Sequence, residues 1–282
     1  MLPPGPRAPA AVNLARFALR PLVTLRRWYE RYGEVFTVRL AGFGTGVYVA
    51  NPDALRALFT GDQSDLLAGE ANSFMTPVLG PSSVLVLDGR EHMRQRKLLL
   101  PPFHGERMRE YEDVIVQATR RDMASWPIGR PMRLQERTRA ITLEVILRAV
   151  FGVEAERMDA LRTAIRELLA PMHPLTVVLF VLRRPSLERP TGAIGRALDR
   201  LDGVIYEEIG RRRAQADLAE RADILSLLMQ ARDEDGRPMS DQELRDELVT
   251  LLLAGHETTA TSVAWAVERL VRHPDKLRRL VA

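Results

Sequence analysis

One stretch of the sequence, LVTLLLAGHETTATSVAWAV at residues 248–267, constrains the fold more than any other. It is apolar enough to form a helix inside a large core, yet glycine, histidine, glutamate and two threonines follow one another at 255–259. Glycine weakens a helix, threonine hydroxyls compete for its backbone hydrogen bonds, and a buried carboxylate needs a partner. These residues therefore require an explanation beyond the packing of a core helix.

The helix that contains this stretch has clear start and stop signals. Ser240 and Glu243 form the capping-box pattern S-x-x-E, and His273-Pro274 ends the helix near Arg272. A helix of roughly thirty residues is about 45–50 Å long, which is enough to cross a whole domain. The apolar positions that predict its burial are Leu244, Leu248, Leu251, Leu252 and Val263.

Helices are predicted along most of the remaining chain. The first is interrupted near Pro21 and closed by Gly33, and two short strands, EVFTVRL and GVYVA, follow around the glycine-rich AGFGTG. Asn51 caps the next helix, and residues 61–89 have the composition of a long loop. Further helices are predicted near 90–99, 106–125, 135–151, 156–170, 190–216, 220–231 and 240–273. Without repeats or a linker, the prediction is one mainly helical domain over 1–282 with a small N-terminal β-hairpin.

Composition excludes several classes of function. The net charge is only +4, and charges alternate in sign in RRRAQADLAERAD and DQELRDEL, as they do on solvated helix faces, so a nucleic-acid binder is not expected. The chain has no cysteine, which excludes disulfides and thiolate chemistry from these residues. The longest apolar run, 174–182, is too short to span a bilayer, and the prediction is a cytoplasmic protein.

Two explanations of the polar run remain open. In the structural one, Thr258 and Thr259 bond back to carbonyls one turn earlier, Gly255 permits a close helix crossing, and Glu257 pairs with an arginine. In the functional one, a hydroxyl on the Ala254 carbonyl loosens the turn and a small residue admits a flat ligand. An adjacent acid and alcohol then relay protons.

The motifs of the chain resemble those of one family. HETTA begins like the zinc motif H-E-x-x-H, but Ala260 stands where the second histidine is required. The run AGHETT at 254–259 instead resembles the [AG]-G-x-[DE]-T-[ST] signature of the cytochromes P450. His92 and Arg96 form H-x-x-x-R before LLLPPF, a second resemblance, and donors one turn apart can clamp carboxylates such as haem propionates. The order of elements over essentially the whole chain is also similar.

The resemblance implies a mainly α, P450-like domain of the soluble bacterial type, truncated after the long central helix. It implies haem as cofactor, a monooxygenase that uses O₂ to hydroxylate an apolar small molecule, a ferredoxin-type electron donor and a monomeric protein. The implied site residues are Glu257 and Thr258 as catalytic groups, His92, Arg96, Ala254 and Gly255 around the haem, and Phe74, Met75, Val78, Leu79 and Val84 facing the substrate. A second substrate-facing region corresponds to roughly 170–187.

The family's thiolate ligand is missing from these residues. The family carries a cysteine loop after an E-x-x-R helix, whereas this chain has no cysteine, and Val271 stands where the arginine of E-x-x-R would follow Glu268. The expectation is an incomplete domain that is inactive alone. The alternatives are a non-enzymatic helical remnant, or a haem-binding protein with a histidine ligand, for which His92, His104, His173, His256 and His273 are the possible choices.

The opposite face of the H-x-x-x-R helix is also basic. Arg90, Arg94 and Lys97 are spaced at i, i+4 and i+7, which places them together by the 100° rule. They could offer positive charge to an acidic electron donor, or they could form a solvated basic stripe. The sequence leaves both interpretations open.

Overall fold

A computed structural model describes residues 2–62, 65–103, 107–152, 155–170 and 190–282. Within these ranges the fold is mainly helical, with one two-stranded sheet, as the sequence predicted. Most of the second predicted substrate-facing region, 170–187, lies outside the described residues, as do His104 and His173.

The N-terminal part packs two helices on the hairpin. Its elements are α1 (Ala10–Leu19), α2 (Pro21–Tyr32), β1 (Val35–Leu40) and β2 (Gly44–Val49). The strands are antiparallel, with Val35 opposite Val49. Trp28 and Phe36 form a small separate core, in which the Phe36 ring stacks on Tyr48 at 5.4 Å between centroids. Since the predicted break at Pro21 is observed, this region was correctly read from its sequence pattern.

The predicted loop at 61–89 is more structured than its composition indicated. After α3 (Pro52–Thr60), capped by Asn51 as predicted, come α4 (Ala68–Asn72), α5 (Thr76–Leu79) and α6 (Gly89–Leu99). The Asp88 carboxylate accepts hydrogen bonds from the amides of Gly69 and Glu70, both at 2.7 Å, and so satisfies the first turn of α4. A cap from a residue this distant in sequence leaves no local signal, which explains the error.

The remaining helices follow the predicted pattern closely. They are α7 (Arg107–Met123), α8 (Leu134–Phe151), α9 (Ala155–Leu169), α10 (Gly192–Arg213), α11 (Ile224–Gln230), α12 (Asp241–Arg272) and α13 (Pro274–Val281). The last of these was not predicted, and α11 is shorter than expected. In the described part of the chain, no helix is both long enough and apolar enough to cross a membrane.

The long helix α12 organises the main core. The predicted capping box is present, because the Ser240 side chain accepts the Glu243 amide and the Glu243 carboxylate accepts the Ser240 amide. Its first half is buried against α8, α10 and α11, with Leu244 and Leu248 fully enclosed. Most of the second half is at least partly exposed, although Ala260 is enclosed: Val263, expected to be buried, is 43% exposed. An apolar pattern identifies the face that favours burial, but it does not reveal whether another element covers that face.

Candidate functional site

The polar run of α12 divides between two faces of the helix. On the exposed face, Ala254, Thr258 and Ser262 succeed one another at intervals of one turn. The Thr258 hydroxyl donates to the Ala254 carbonyl, as predicted, and the Ser262 hydroxyl donates to the Thr258 carbonyl at 2.8 Å. Such back-bonding loosens and bends a helix. The result is a stripe of small and hydroxyl side chains along an exposed wall.

The other face of the run packs against α8. A Cβ atom built on Gly255 would lie 2.9 Å from Cδ1 of Ile146, so glycine permits a close crossing of the two helices. The His256 ring is buried, with Nδ1 3.1 Å from Oγ1 of Thr142. Burial lowers the pKa of His256, although the nearby Glu257 carboxylate opposes this. Gly255 matches the structural explanation, and the burial of His256 against α8 disfavours it as a haem ligand.

Glu257 lies between these two faces. Its carboxylate is 3.0 Å from Nε of Arg139 on α8 and 3.7 Å from Nε2 of His256, and its side chain is one-third exposed. The pairing with an arginine was one of the two explanations that the sequence left open. In this arrangement the charge of Glu257 is balanced by Arg139, beside the Thr258 stripe.

Helix α6 presents the predicted anion-binding pair. Nδ1 of His92 lies 3.0 Å from the Val84 carbonyl oxygen, and because a carbonyl only accepts, Nδ1 carries a proton. Within the described ranges, Nε2 of His92 has no hydrogen-bond partner, and the exposed guanidinium of Arg96 has no ion-pair partner. Nε2 of His92 and the guanidinium of Arg96, one helical turn apart, are therefore both available to a ligand.

The opposite face of α6 is partly occupied. Arg94 binds Glu243 and lies 2.7 Å from Asp233, while Lys97 lies 2.5 Å from Glu234. The hydrogen bond from Arg94 is the largest influence that lowers the pKa of Asp233 to about 2. Arg94 and Lys97 are therefore engaged by carboxylates, whereas Arg90 on the same face is exposed, and a role of this face toward an electron donor stays a prediction. The charges of Arg94 and Lys97 tie α6 to the turn that precedes α12.

The first turns of α12 bind the segment at 78–84, which sequence reasoning missed. Arg245 donates to the carbonyls of Leu79 and Val78, at 2.9 and 3.2 Å. Two carboxyl groups accept backbone amides: Asp246 accepts that of Ser82 at 3.0 Å, and Glu247 accepts that of Val84 at 2.9 Å. The Thr250 hydroxyl donates to the Ser83 hydroxyl at 2.7 Å. The sequence DQELRDEL was interpreted as a solvated face, but the charged residues at 245–247 are all buried. Their position next to an apolar run was the signal available for a buried network.

The predicted substrate-facing residues are placed in different environments. Val78 and Leu79 belong to the main core, with exposures of 8% and 1%. The contacts with α12 turn this segment inward, and a role of these two residues in substrate binding stays a prediction. Met75 and Val84 are half-buried, and Phe74 is 38% exposed. A role in substrate binding for these three residues stays a prediction.

Comparisons with known proteins agree with one another. The family profile described as cytochrome P450 matches residues 3–282. The chain is 42% identical to the provisionally named cytochrome P450 135B1 of Mycobacterium tuberculosis. It is 38% identical to the provisionally named cytochrome P450 138 of the same species. Each alignment includes 99% of this chain. It covers 59% and 63% of these relatives, so it spans about three fifths of their length.

Solved structures show the same fold. The chain is similar to a cyanobacterial protein, CYP120A1, with bound retinoic acid, at a TM-score of 0.77 and 24% identity. It is also similar to the cytochrome P450DA heme domain, at a TM-score of 0.78 and 20% identity. Each of these alignments includes 99% of this chain and 62% of the chain in the solved structure.

Proposed function

The chain belongs to the cytochrome P450 family, and from that premise we propose that it forms the haem-facing part of a monooxygenase that hydroxylates an apolar small molecule. Haem is the cofactor of this family, and when bound it supplies the activation of O₂. The observation that carries the proposal is the pair of available donors on α6, His92 and Arg96, combined with the exposed Ala254 and Thr258 stripe on α12.

The donors on α6 fit the carboxylates of a porphyrin. The Val84 carbonyl holds Nδ1 of His92 and so fixes the orientation of the ring. With Nδ1 bound to the Val84 carbonyl, Nε2 donates to a propionate when the imidazole carries both protons. Arg96 is charged at any working pH and provides a second, charge-assisted hydrogen bond. Together they would hold one edge of the cofactor.

The α12 stripe fits the wall above a flat ring. Ala254 adds little bulk, and the Thr258 hydroxyl can exchange its bond with the Ala254 carbonyl for a bond to a ligand or water. We propose that Thr258 holds a proton at Oγ1 that it could pass to a ligand or water at this wall, and that Glu257, after leaving Arg139 and taking up a proton from solvent, would return a proton to Thr258. Gly255 serves this wall indirectly, since it sets the close approach of α8.

A cysteine thiolate is not among these residues. The 282 residues include no cysteine, so a thiolate would have to come from the part of the family domain that this chain does not match. We further propose a ferredoxin-type protein as electron donor and the cytoplasm as the location. The alternative of a histidine-ligated haem protein has less support at His256, because that ring is buried against α8.

Completing the domain tests this proposal. Residues 1–282, joined to the unmatched remainder of the 42%-identical relative, are expected to bind haem and, after reduction under CO, to show the spectrum of a thiolate-ligated complex. His92→Ala or Arg96→Ala in this chimera should each weaken haem binding about tenfold or more, since each removes a charge-assisted hydrogen bond. Optical titration with haem measures both effects.

Matched controls accompany this titration. Arg90→Ala removes an exposed arginine from the opposite face of α6 and should leave haem affinity unchanged. The unextended chain should not give the thiolate spectrum, because it has no cysteine. Unchanged haem affinity in both the His92 and the Arg96 variants would contradict the assignment of the propionate edge.

Removing the Thr258 hydroxyl tests the distal wall. In the chimera, Thr258→Val keeps the volume of the side chain but deletes the proton-holding oxygen, so product formed per O₂ consumed should fall about tenfold, the effect of losing about one hydrogen bond. Product and O₂ uptake are measured together with an apolar substrate. Thr259→Val, at the exposed neighbouring position, is the control. Equal coupling in the two variants would remove Thr258 from the proposed role.

A further inference from the structure

Glu247 of α12 is an enclosed carboxyl group with an incomplete set of partners. The residue is 0% exposed, and its Oε1 atom accepts the Val84 amide at 2.9 Å. Within the part of the chain that the structure describes, the buried Oε2 atom has no hydrogen-bond partner. An enclosed oxygen of this kind is far more costly on an anion than on a neutral acid.

The neighbouring charges do not compensate an anion at this position. The carboxylates of Asp246 and Glu243 on α12 repel a charge on Glu247. The charged and titratable groups joined to these carboxylates or to Val84 include Arg245 on α12 with its partner Asp202 on α10, and Arg94 and His92 on α6. Arg245 is directed to Asp202 and Asp246, and Arg94 to Asp233 and Glu243. Burial accordingly raises the pKa of Glu247 to about 8, against the opposing effect of the Val84 amide.

Val84 connects this carboxyl to the predicted haem-binding helix. Its amide donates to Glu247 and its carbonyl accepts from His92, so a single residue joins α12 to α6 through both of its backbone groups. Any displacement of Val84 would therefore move the group that orients the His92 ring. Two flanking bonds, from the Ser82 amide to Asp246 and from the Thr250 hydroxyl to the Ser83 hydroxyl, hold the same segment on α12.

We propose that Glu247 is a positioning residue, which as a neutral acid holds Val84 against α12 and thereby fixes the His92 ring. Ionisation of Glu247 at alkaline pH would place an unpaired anion in an enclosed site, and the segment at 82–84 would open to admit water. The inference rests on the proposed function only in the role assigned to His92, because the contact and its pH dependence exist without haem.

Hydrogen exchange followed by mass spectrometry tests this in the unextended chain. After correction for intrinsic exchange rates, the amides of peptides covering 81–87 should be protected at about pH 6. Their protection factors should fall about tenfold or more by about pH 9.5, because the site opens as the carboxyl ionises. In Glu247→Gln, which keeps the acceptor for Val84 but cannot ionise, the protection should be independent of pH. Glu268→Gln, at an ion-paired position near the other end of α12, is the control and should behave as the wild type.

Several outcomes would overturn the proposal. Wild-type protection that does not change with pH, or the same pH dependence in Glu247→Gln, would do so. If the glutamine variant fails to fold, infrared difference spectra of the wild type between the same pH values remain decisive, because a neutral carboxyl has a C=O stretch that disappears on ionisation. The absence of that band would show that Glu247 is already an anion. Failure here would leave haem binding by the chimera intact, so the two proposals can be separated.

Discussion

Replacing Glu247 with glutamine is expected to raise the free energy of unfolding by about 3 kcal/mol at about pH 7. The folded state keeps a proton on Glu247 up to a pKa of about 8, whereas the unfolded chain releases it near the ordinary value of 4.5. Between these values the unfolded state gains stability from ionisation that the folded state cannot gain. Wild-type stability therefore falls by about 1.4 kcal/mol for each unit of rising pH, and glutamine removes this loss.

The pH dependence distinguishes this effect from simple repacking. Below about pH 4.5 both states hold the proton, so wild type and variant should differ little. The difference should grow through neutral pH and level off above about pH 8. Denaturant unfolding at a series of pH values measures it. A variant that is less stable than the wild type at every pH would indicate that the native site needs the carboxylate.

Replacing Arg245 with leucine is expected to lower the free energy of unfolding by about 3–5 kcal/mol, the usual effect of breaking a buried ion pair. The guanidinium lies 2.7 Å from Asp202 and 3.0 Å from Asp246, both of which are buried. It also donates to the carbonyls of Leu79 and Val78. Leucine would leave the two carboxylates without the cation that they share. Denaturant or thermal unfolding measures the loss, a large part of the stability of a typical domain.

An exposed arginine provides the matched comparison for this variant. Arg213 pairs with Asp241 at the surface, with about half of each side chain exposed. Arg213→Leu should change stability by less than about 1 kcal/mol, because solvent screens such pairs. Similar effects of the two substitutions would mean that the buried network does not hold the segment at 78–84 in place.

These two substitutions address one physical feature of the protein. Helix α12 carries the predicted catalytic groups in its second half and binds the segment at 78–84 with its first turns. The same segment orients His92. The proposed proton-relay wall and the proposed propionate edge are therefore fixed relative to one another by buried polar contacts on a single helix, in addition to apolar packing.

Much of the site could be predicted from sequence, because its signals are local. The back-bond from Thr258 to Ala254 depends on residues four apart, and the spacing of His92 and Arg96 places them on one face of α6. The roles of Val78 and Leu79 could not be predicted in the same way. Their burial depends on Arg245, more than 160 residues away, and a short apolar run looks alike in a core and in a substrate loop.

Local signals in the chain were sufficient to predict the helical class, the bounds of α12 and the two motifs that identify the family, because capping, periodicity and residue spacing act within a few turns of chain. Long-range packing was needed to show that Arg245, Asp246 and Glu247 are buried, that Arg94 and Lys97 are paired, and that most of the second half of α12 is exposed. Burial and charge pairing depend on which distant elements come together. A charged side chain stabilises the fold where it is paired and destabilises it where it is buried alone.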